Sequence, residues 1–572
     1  MADPSLPDPL HIDFRVVAET LRGGRANDAW MRTWLPATWS SPAKFYEGLY
    51  ASFGARRGAV FKSRPGSAHD LYHECVSAHL GKRRTALIGR EGVGFDRVSY
   101  ETLHARCNAL SAAWLDLGVE PERVVAIVLP TGIDQAVALL TAFRMGLVVS
   151  VIPPWGPSFV RDALTKIQPE LTVSSGRHGA LPAGLQATQL PVSAGSRVTG
   201  TAGSFTYAAG KVAAKLLAPF GTTEDGTTEV EASVLLDGAV RDAALVYALE
   251  PSDVVSAPSF EPMQHDLCLL LSTLVAGATF ASLTEADLAS EPGILGAHKV
   301  SVLGLTRKSR DVLMSTKGGL GASVRSWFRS LTDVIEPDRW DAFFRAVPDR
   351  KQPGFGVVTS STSGGVSLFS APSFEAPSLK VWPAPGRVWQ LSNPAAGDLP
   401  AIGESGVFTL MNGDEGEVSA VQAVIGRWGD AYAYAGSLDI GPDAHPYPFS
   451  LLEEVVTRVG DVKYASAFDV PGRWVNDARG GVWLFVEPPV GDEPGVDLGQ
   501  IKTEITRELG VRFLPERIET VPLRPRIVKG EVDRAWCRSQ YLTGVMRRKA
   551  RSEAFRLIGR LGFVFASPKT LG

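Results

Sequence analysis

Cysteine is scarce in this chain. Cys75, Cys107, Cys268 and Cys537 are the only four in 572 residues, and none stands at metal-ligand spacing from another. That density excludes a disulfide framework and gives no metal site. An excess of one charge is also missing. Lys and Arg number 58 against 61 Asp and Glu, and the net charge of −3 gives no reason to expect nucleic acid as a partner. Long apolar runs are absent too. The longest, Cys268 to Leu283, contains Ser and Thr and falls short of the roughly 20 residues that span a bilayer. It reads as a buried helix followed by a strand. The opening residues MADPSLPDPL lack a basic-then-apolar pattern. The expectation is a cytoplasmic protein without a transmembrane segment.

What is present fits a globular enzyme. Apolar residues make up 45% and charged residues 21%, and the length predicts more than one domain. Residues 1–65, rich in Pro, Trp and Arg, read as an irregular lead-in. From Val98 the pattern sharpens. SYETLHARCNALSAAWLDLG has helical spacing and stops at Gly118. RVVAIVLP then reads as a buried strand, GIDQAVALLTAFRMG as a helix, LVVSVIPP as a strand, SFVRDALTKI as a helix and LTVSS as a strand. Such alternation predicts an α/β fold with a mainly parallel sheet covered on both faces.

Several phrases resemble the AMP-forming adenylating superfamily of acyl- and aryl-CoA synthetases, luciferases and nonribosomal adenylation domains. RVSYETLHARCNALSAAWLDLGVEPERVVAIVLP and the stretch after it are similar to the first subdomain of that family. EPSDVVSAPSFEPMQHDLCLLLSTLVAGATFASL, HKVSVLGLTRKSRDVL, LPAIGESGVFTL and IGRWGDAYAYAG resemble later family segments in the family's order. The resemblance covers about residues 65 to 540. It implies a large domain of layered sheets over 66–425 and a small mobile α+β domain over 426–540, with hinge residues Arg427 and Asp430. A basic tail over 541–572 has seven Lys or Arg against one Glu. It reads as a surface helix, with a docking face for an acidic carrier protein or a membrane surface as alternatives.

The family makes an acyl-adenylate from ATP, then lets a thiol attack it, and the residues for the first step depart from the pattern. KLLAPFGTTEDGTTEV, Lys215 to Val230, stands where the family holds a Ser/Thr/Gly-rich phosphate loop ending in Pro-Lys-Gly. Thr222 and Thr223 remain, but Glu224, Asp225 and Glu229 stand in place of glycine and lysine. Like charges about 4 Å apart repel by roughly 4 kcal/mol at an effective dielectric near 20. The family's magnesium-binding Thr-Glu pair is matched by Ser361-Thr362, without a carboxylate. Glu531, in PRIVKGEVDR, takes the position of the C-terminal lysine, and Lys529 leaves the chain in another direction. Asp414, in NGDEGE, is either the family's ribose-binding aspartate or a turn aspartate after Asn-Gly.

The acyl side keeps more of the pattern. The resemblance assigns Phe260, Cys268, Gly364 and Gly436 to the acyl and CoA pocket. His265 is either a base for thiol exchange or a hydrogen-bonded histidine at a helix start. Cys268 is either an acyl carrier or an inert buried thiol. The expected activity is therefore transfer of an acyl group, aryl and anthraniloyl-like, from coenzyme A to the thiol of a holo acyl carrier protein. This needs no ATP and no permanently bound cofactor, and it resembles the anthraniloyl transfer that primes a polyketide synthase. The alternatives are an ATP-dependent acyl- or aryl-CoA ligase with relocated phosphate-binding groups, and a non-catalytic partner protein of the same fold.

Overall fold

The computed structural model describes residues 8–92, 94–175, 187–193, 203–217, 226–260, 262–316, 319–333, 337–347, 352–374, 380–392, 399–402, 404–412, 417–428, 431–436, 448–459, 462, 464–470, 481–487, 497–515, 517–520, 526–528 and 531–542. They form two compact units. The first comprises Met1–Pro154 with Ala163–Leu438, and the second Trp155–Asp162 with Asp439–Gly572.

The first unit is an α/β fold, as the alternating pattern predicts. A six-stranded sheet places Val124–Val128 between Val148–Val151 and Leu171–Ser174, all parallel, with the antiparallel hairpin of Val212–Leu217 and Thr227–Glu231 at one edge. The helix Ile133–Arg144 is apolar on nearly every side and buried. A helix without a polar face belongs inside the protein. The larger sheet holds parallel strands Val254–Ser256, Val302–Leu305, Ser326–Ser330 and Gly354–Ser360. It continues through antiparallel strands that include Glu417–Trp428 and Ala431–Gly436.

Two expectations need correction. Residues 1–65 are not an irregular lead-in. They contain helices Phe14–Arg22, Asp28–Ser40 and Pro42–Arg57. The signals are local. Asp13 caps the amides of Arg15 and Val16, Asn27 caps that of Trp30, and Pro42 opens the third helix at a position where its missing N–H costs nothing. The aromatic residues that suggested a loop are core: Trp34, Phe45, Tyr50 and Phe53 are all buried. Second, the chain does not leave the large unit at 426. That position lies within the strand Glu417–Trp428, bonded to Ser405–Asn412 on one side and to Ala431–Gly436 on the other, so the first unit runs to Leu438.

The second unit follows the expected order. The helix Phe449–Thr457, strands Tyr464–Val470 and Gly481–Glu487 and the helix Leu498–Glu508 build a small α+β unit around a three-stranded sheet. Leu452, Val456, Ile501 and Ile505 are buried in it. Of the expected basic tail over 541–572, residues 543–572 lie outside the described residues.

Candidate active site

The parallel strands end on a common side at Ser256, Leu305, Ser330 and Ser360. The ligand crevice of an open α/β sheet lies at the carboxyl ends of its strands. After Ser256 the chain turns through Ser259, whose φ of 72° is strained for a side chain other than glycine or asparagine, and enters the π-turn Pro262–Asp266. This turn runs into the helix Leu267–Val275 and packs against the strand Gly354–Ser360 and the turn Ser361–Ser363. A π-turn at a helix start rotates side chains out of the regular series. Here it sets the buried His265 edge-on to Phe260, with ring centroids 4.7 Å apart. Phe260 meets Phe328 edge to face at 5.3 Å, and Phe328 touches Phe355 at 5.6 Å and Tyr247 at 5.0 Å. His265 thus meets Phe260, which joins it to a buried cluster of aromatic rings, Phe328, Phe355 and Tyr247.

Cys268 is buried in the next turn, and burial pushes its thiol up to about 12. At neutral pH it is a thiol rather than a nucleophilic thiolate. Asp266, adjacent to His265, was not singled out by sequence. Its carboxylate accepts a hydrogen bond from the Thr131 hydroxyl, and burial pushes its carboxyl up to about 6. The pair lines a small void of about 10 Å³ with Gln135, room for one water at most. The sequence signal was the Asp beside His265, and a partner more than a hundred residues away could not be read from it.

The Ser361–Ser363 turn is closed by its own hydroxyls. Ser360 Oγ and Thr362 Oγ1 lie 2.7 Å apart, and Ser363 Oγ donates to the Ser360 carbonyl at 3.0 Å. Gly364 follows with φ 71°, and a Cβ there would sit 2.3 Å from the Val234 carbonyl oxygen. Its demand for glycine comes from packing on the helix Ala232–Arg241. At Gly238 of that helix a Cβ would lie 1.7 Å from the Gly364 carbonyl oxygen. Backbone meets backbone at both positions.

On the phosphate side, Thr222, Thr223, Glu224 and Asp225 lie outside the described residues. Glu229 is described. It is exposed on the edge strand, directly opposite Lys215. Asp414, Asp430 and Lys529 also lie outside the described residues. Arg427 pairs with Tyr432 in the sheet, and Gly436 ends the next strand opposite Val424. Glu531 belongs to the second unit, in a two-residue strand opposite Val528. Among the described residues no group of three His, Cys, Asp or Glu could hold a metal, and no helix is long and apolar enough to cross a membrane.

The sequence pattern of the AMP-binding enzyme family matches residues 76–206. One curated relative, acetyl-coenzyme A synthetase of Salmonella typhi, is 37% identical over 87 residues, which are 14% of this chain and 13% of the relative. The chain therefore spans about an eighth of that relative's length in the match. Two solved structures share the fold. An o-succinylbenzoate CoA synthetase double mutant of Bacillus subtilis has a TM-score of 0.63 at 12% identity, covering 82% of this chain and 98% of that one. An artificially fused adenylation–PCP di-domain from Klebsiella oxytoca has a TM-score of 0.61 at 14% identity, covering 79% and 85%. The family pattern is thus matched over residues 76–206, and the two solved structures share the fold.

Proposed function

We propose that this chain transfers an acyl group, aryl in kind, from a coenzyme A thioester to the thiol of a holo acyl carrier protein, without consuming ATP. The observation that carries the reading is the contrast between two edges of the site. His265 packs against Phe260, which meets Phe328 and through it Phe355, while the segments matched to the phosphate contacts offer hydroxyls at Ser361-Thr362 and a carboxylate at Glu229. An ATP site needs the reverse of that second edge. A thioester exchange needs only the first.

In this reaction His265 takes the proton from the acceptor thiol. The thiolate sulfur attacks the acyl carbonyl, the carbon–sulfur bond to coenzyme A breaks, and the departing thiolate takes the proton back. Atoms and charge balance, and one thioester replaces another. The base contributes roughly a hundredfold to ten-thousandfold to such a step.

Holo carrier protein incubated with aryl-CoA, with and without Mg·ATP, tests the proposal by intact-mass spectrometry. The expected result is acylated carrier protein in both arms, with transfer slowed by His265→Ala on the order of 10²-fold or more. No transfer from a panel of aryl- and acyl-CoA donors overturns it. The second reading, an ATP-dependent ligase, rests on the curated relative being an acetyl-coenzyme A synthetase. Carboxylate-dependent pyrophosphate exchange would establish it.

A further inference from the structure

A second cavity, of about 490 Å³, opens between the N-terminal helices and the helix Ala232–Arg241, and neither His265, Phe260 nor Cys268 lines it. Its size is that of a small-molecule site. Tight contacts fix its walls. The Trp39 indole donates to the Ala384 carbonyl at 3.2 Å, and the Gly386 amide donates to Thr38 Oγ1 at 3.2 Å. Gly386, at φ 72°, leaves no room for a Cβ, which would lie 2.3 Å from the Phe45 ring. The next residue, Arg387, is thereby held at the cavity.

Arg387 uses Nη1 to donate to the Ser363 carbonyl at 2.8 Å. Its other nitrogens have no hydrogen-bond partner among the described residues. Across the cavity Asp237 accepts from the Tyr50 hydroxyl at 2.7 Å through Oδ1, and its Oδ2 has no such partner. Behind it stands His69, fully buried, with neither ring nitrogen hydrogen-bonded among the described residues and Nε2 3.8 Å from Asp237 Oδ1. Buried polar groups without partners are rare and call for an explanation. The rest of the lining mixes apolar Val234, Val388 and Met411 with the hydroxyls of Ser40, Ser41 and Ser233, and the buried Tyr46 stands among them.

We infer that this cavity binds a small organic carboxylate bearing a hydroxyl or amino donor on an apolar body. The Arg387 guanidinium presents its free N–H groups to the carboxylate, a pairing its planar fork favours. Asp237 Oδ2 accepts from the donor, and Val234, Val388 and Met411 cover the body. Because Arg387 also holds the Ser363 carbonyl, the ligand sits one side chain away from the turn that borders the transfer site. This inference does not rest on the transfer reaction.

Calorimetry on the full chain with salicylate, 2-aminobenzoate, benzoate and aniline tests it. Salicylate and 2-aminobenzoate are expected to bind, benzoate at least tenfold more weakly, and aniline not measurably. Arg387→Gln should weaken salicylate binding at least tenfold, and Ser233→Phe, which fills the cavity from its partly exposed wall, should abolish it. His265→Ala should leave it unchanged. No binding of any probe at millimolar concentration, or equal binding by wild type, Arg387→Gln and Ser233→Phe, overturns the inference. So does loss on His265→Ala alone, which places the probe beside His265 rather than in this cavity. Acyl transfer is read separately by mass, so either result can fail without the other.

Discussion

Asp253 and Asp266 flank one stretch of chain, the first just before the strand Val254–Ser256 and the second inside the turn Pro262–Asp266, yet they live in opposite surroundings. Asp253 is met by the Arg22 guanidinium at 2.8 Å, by Arg325 at 3.0 Å, by the Ser301 hydroxyl at 2.7 Å and by the Glu250 amide at 2.8 Å. Burial works to raise its pKa, and the charges of Arg325 and Arg22 overcome it and hold the carboxyl well below the usual range. At Asp266 burial also acts to raise the pKa, and only one hydroxyl, from Thr131, acts against it. The difference separates a carboxylate that locks the fold from one left poised beside the candidate base. A matched buried ion tells of architecture, whereas an unmatched one is a candidate for function.

The largest test removes the lock. Asp253→Ala leaves Arg325 and Arg22 without their shared partner and should destabilise the chain by about 3–5 kcal/mol in urea unfolding. A loss below about 1 kcal/mol would mean that Asp253 contributes no more than an exposed ion pair does.

The pH dependence of the two carboxylates should run in opposite directions. A folded-state pKa held low gives Asp253 a contribution present above its unfolded value near 4 and lost as acid protonates it. For Asp266 the folded value of about 6 lies above the unfolded one. Its contribution is full below about pH 4 and is lost as pH rises through 6. Ionising it should therefore cost about 3 kcal/mol across that interval, and Asp266→Asn should remove this slope. Stability curves for wild type and Asp266→Asn that stay parallel from pH 4 to 7 would place the two aspartates in the same class.

The smallest effect sharpens the contrast. Thr131→Val removes the hydroxyl that favours the ionised form of Asp266 and should move the midpoint of that stability slope upward, for a change of about 1 kcal/mol at neutral pH. An unchanged midpoint would show that burial alone sets the titration.

Much of the framework was legible because it is written locally. The strands from Val124 to Ser174 and the helices between them follow hydrophobic runs and helical spacing, and the small C-terminal unit follows the same rules. The N-terminal helices were misread although Asp13, Asn27 and Pro42 announce their starts, because clustered Trp and Pro residues outweighed the caps. At the site, His265 and Phe260 were reachable from one segment. Phe328, which meets Phe260, and Phe355, which meets Phe328, come from strands more than sixty residues away, and only the parallel register brings them together. Arg387 and Asp237 were invisible for the same reason: nothing in either neighbourhood refers to the other.

The register of the edge hairpin bears on how such a chain changes over time. Glu229 lies directly across from Lys215 on neighbouring antiparallel strands. Opposite charges so placed support the pairing, and like charges disfavour it, by roughly 0.2–1 kcal/mol. A single substitution of Glu229 by lysine would set two ammonium groups face to face on an exposed edge. A cation at this position would therefore weaken the hairpin slightly, and a matching change at Lys215 would restore the pairing.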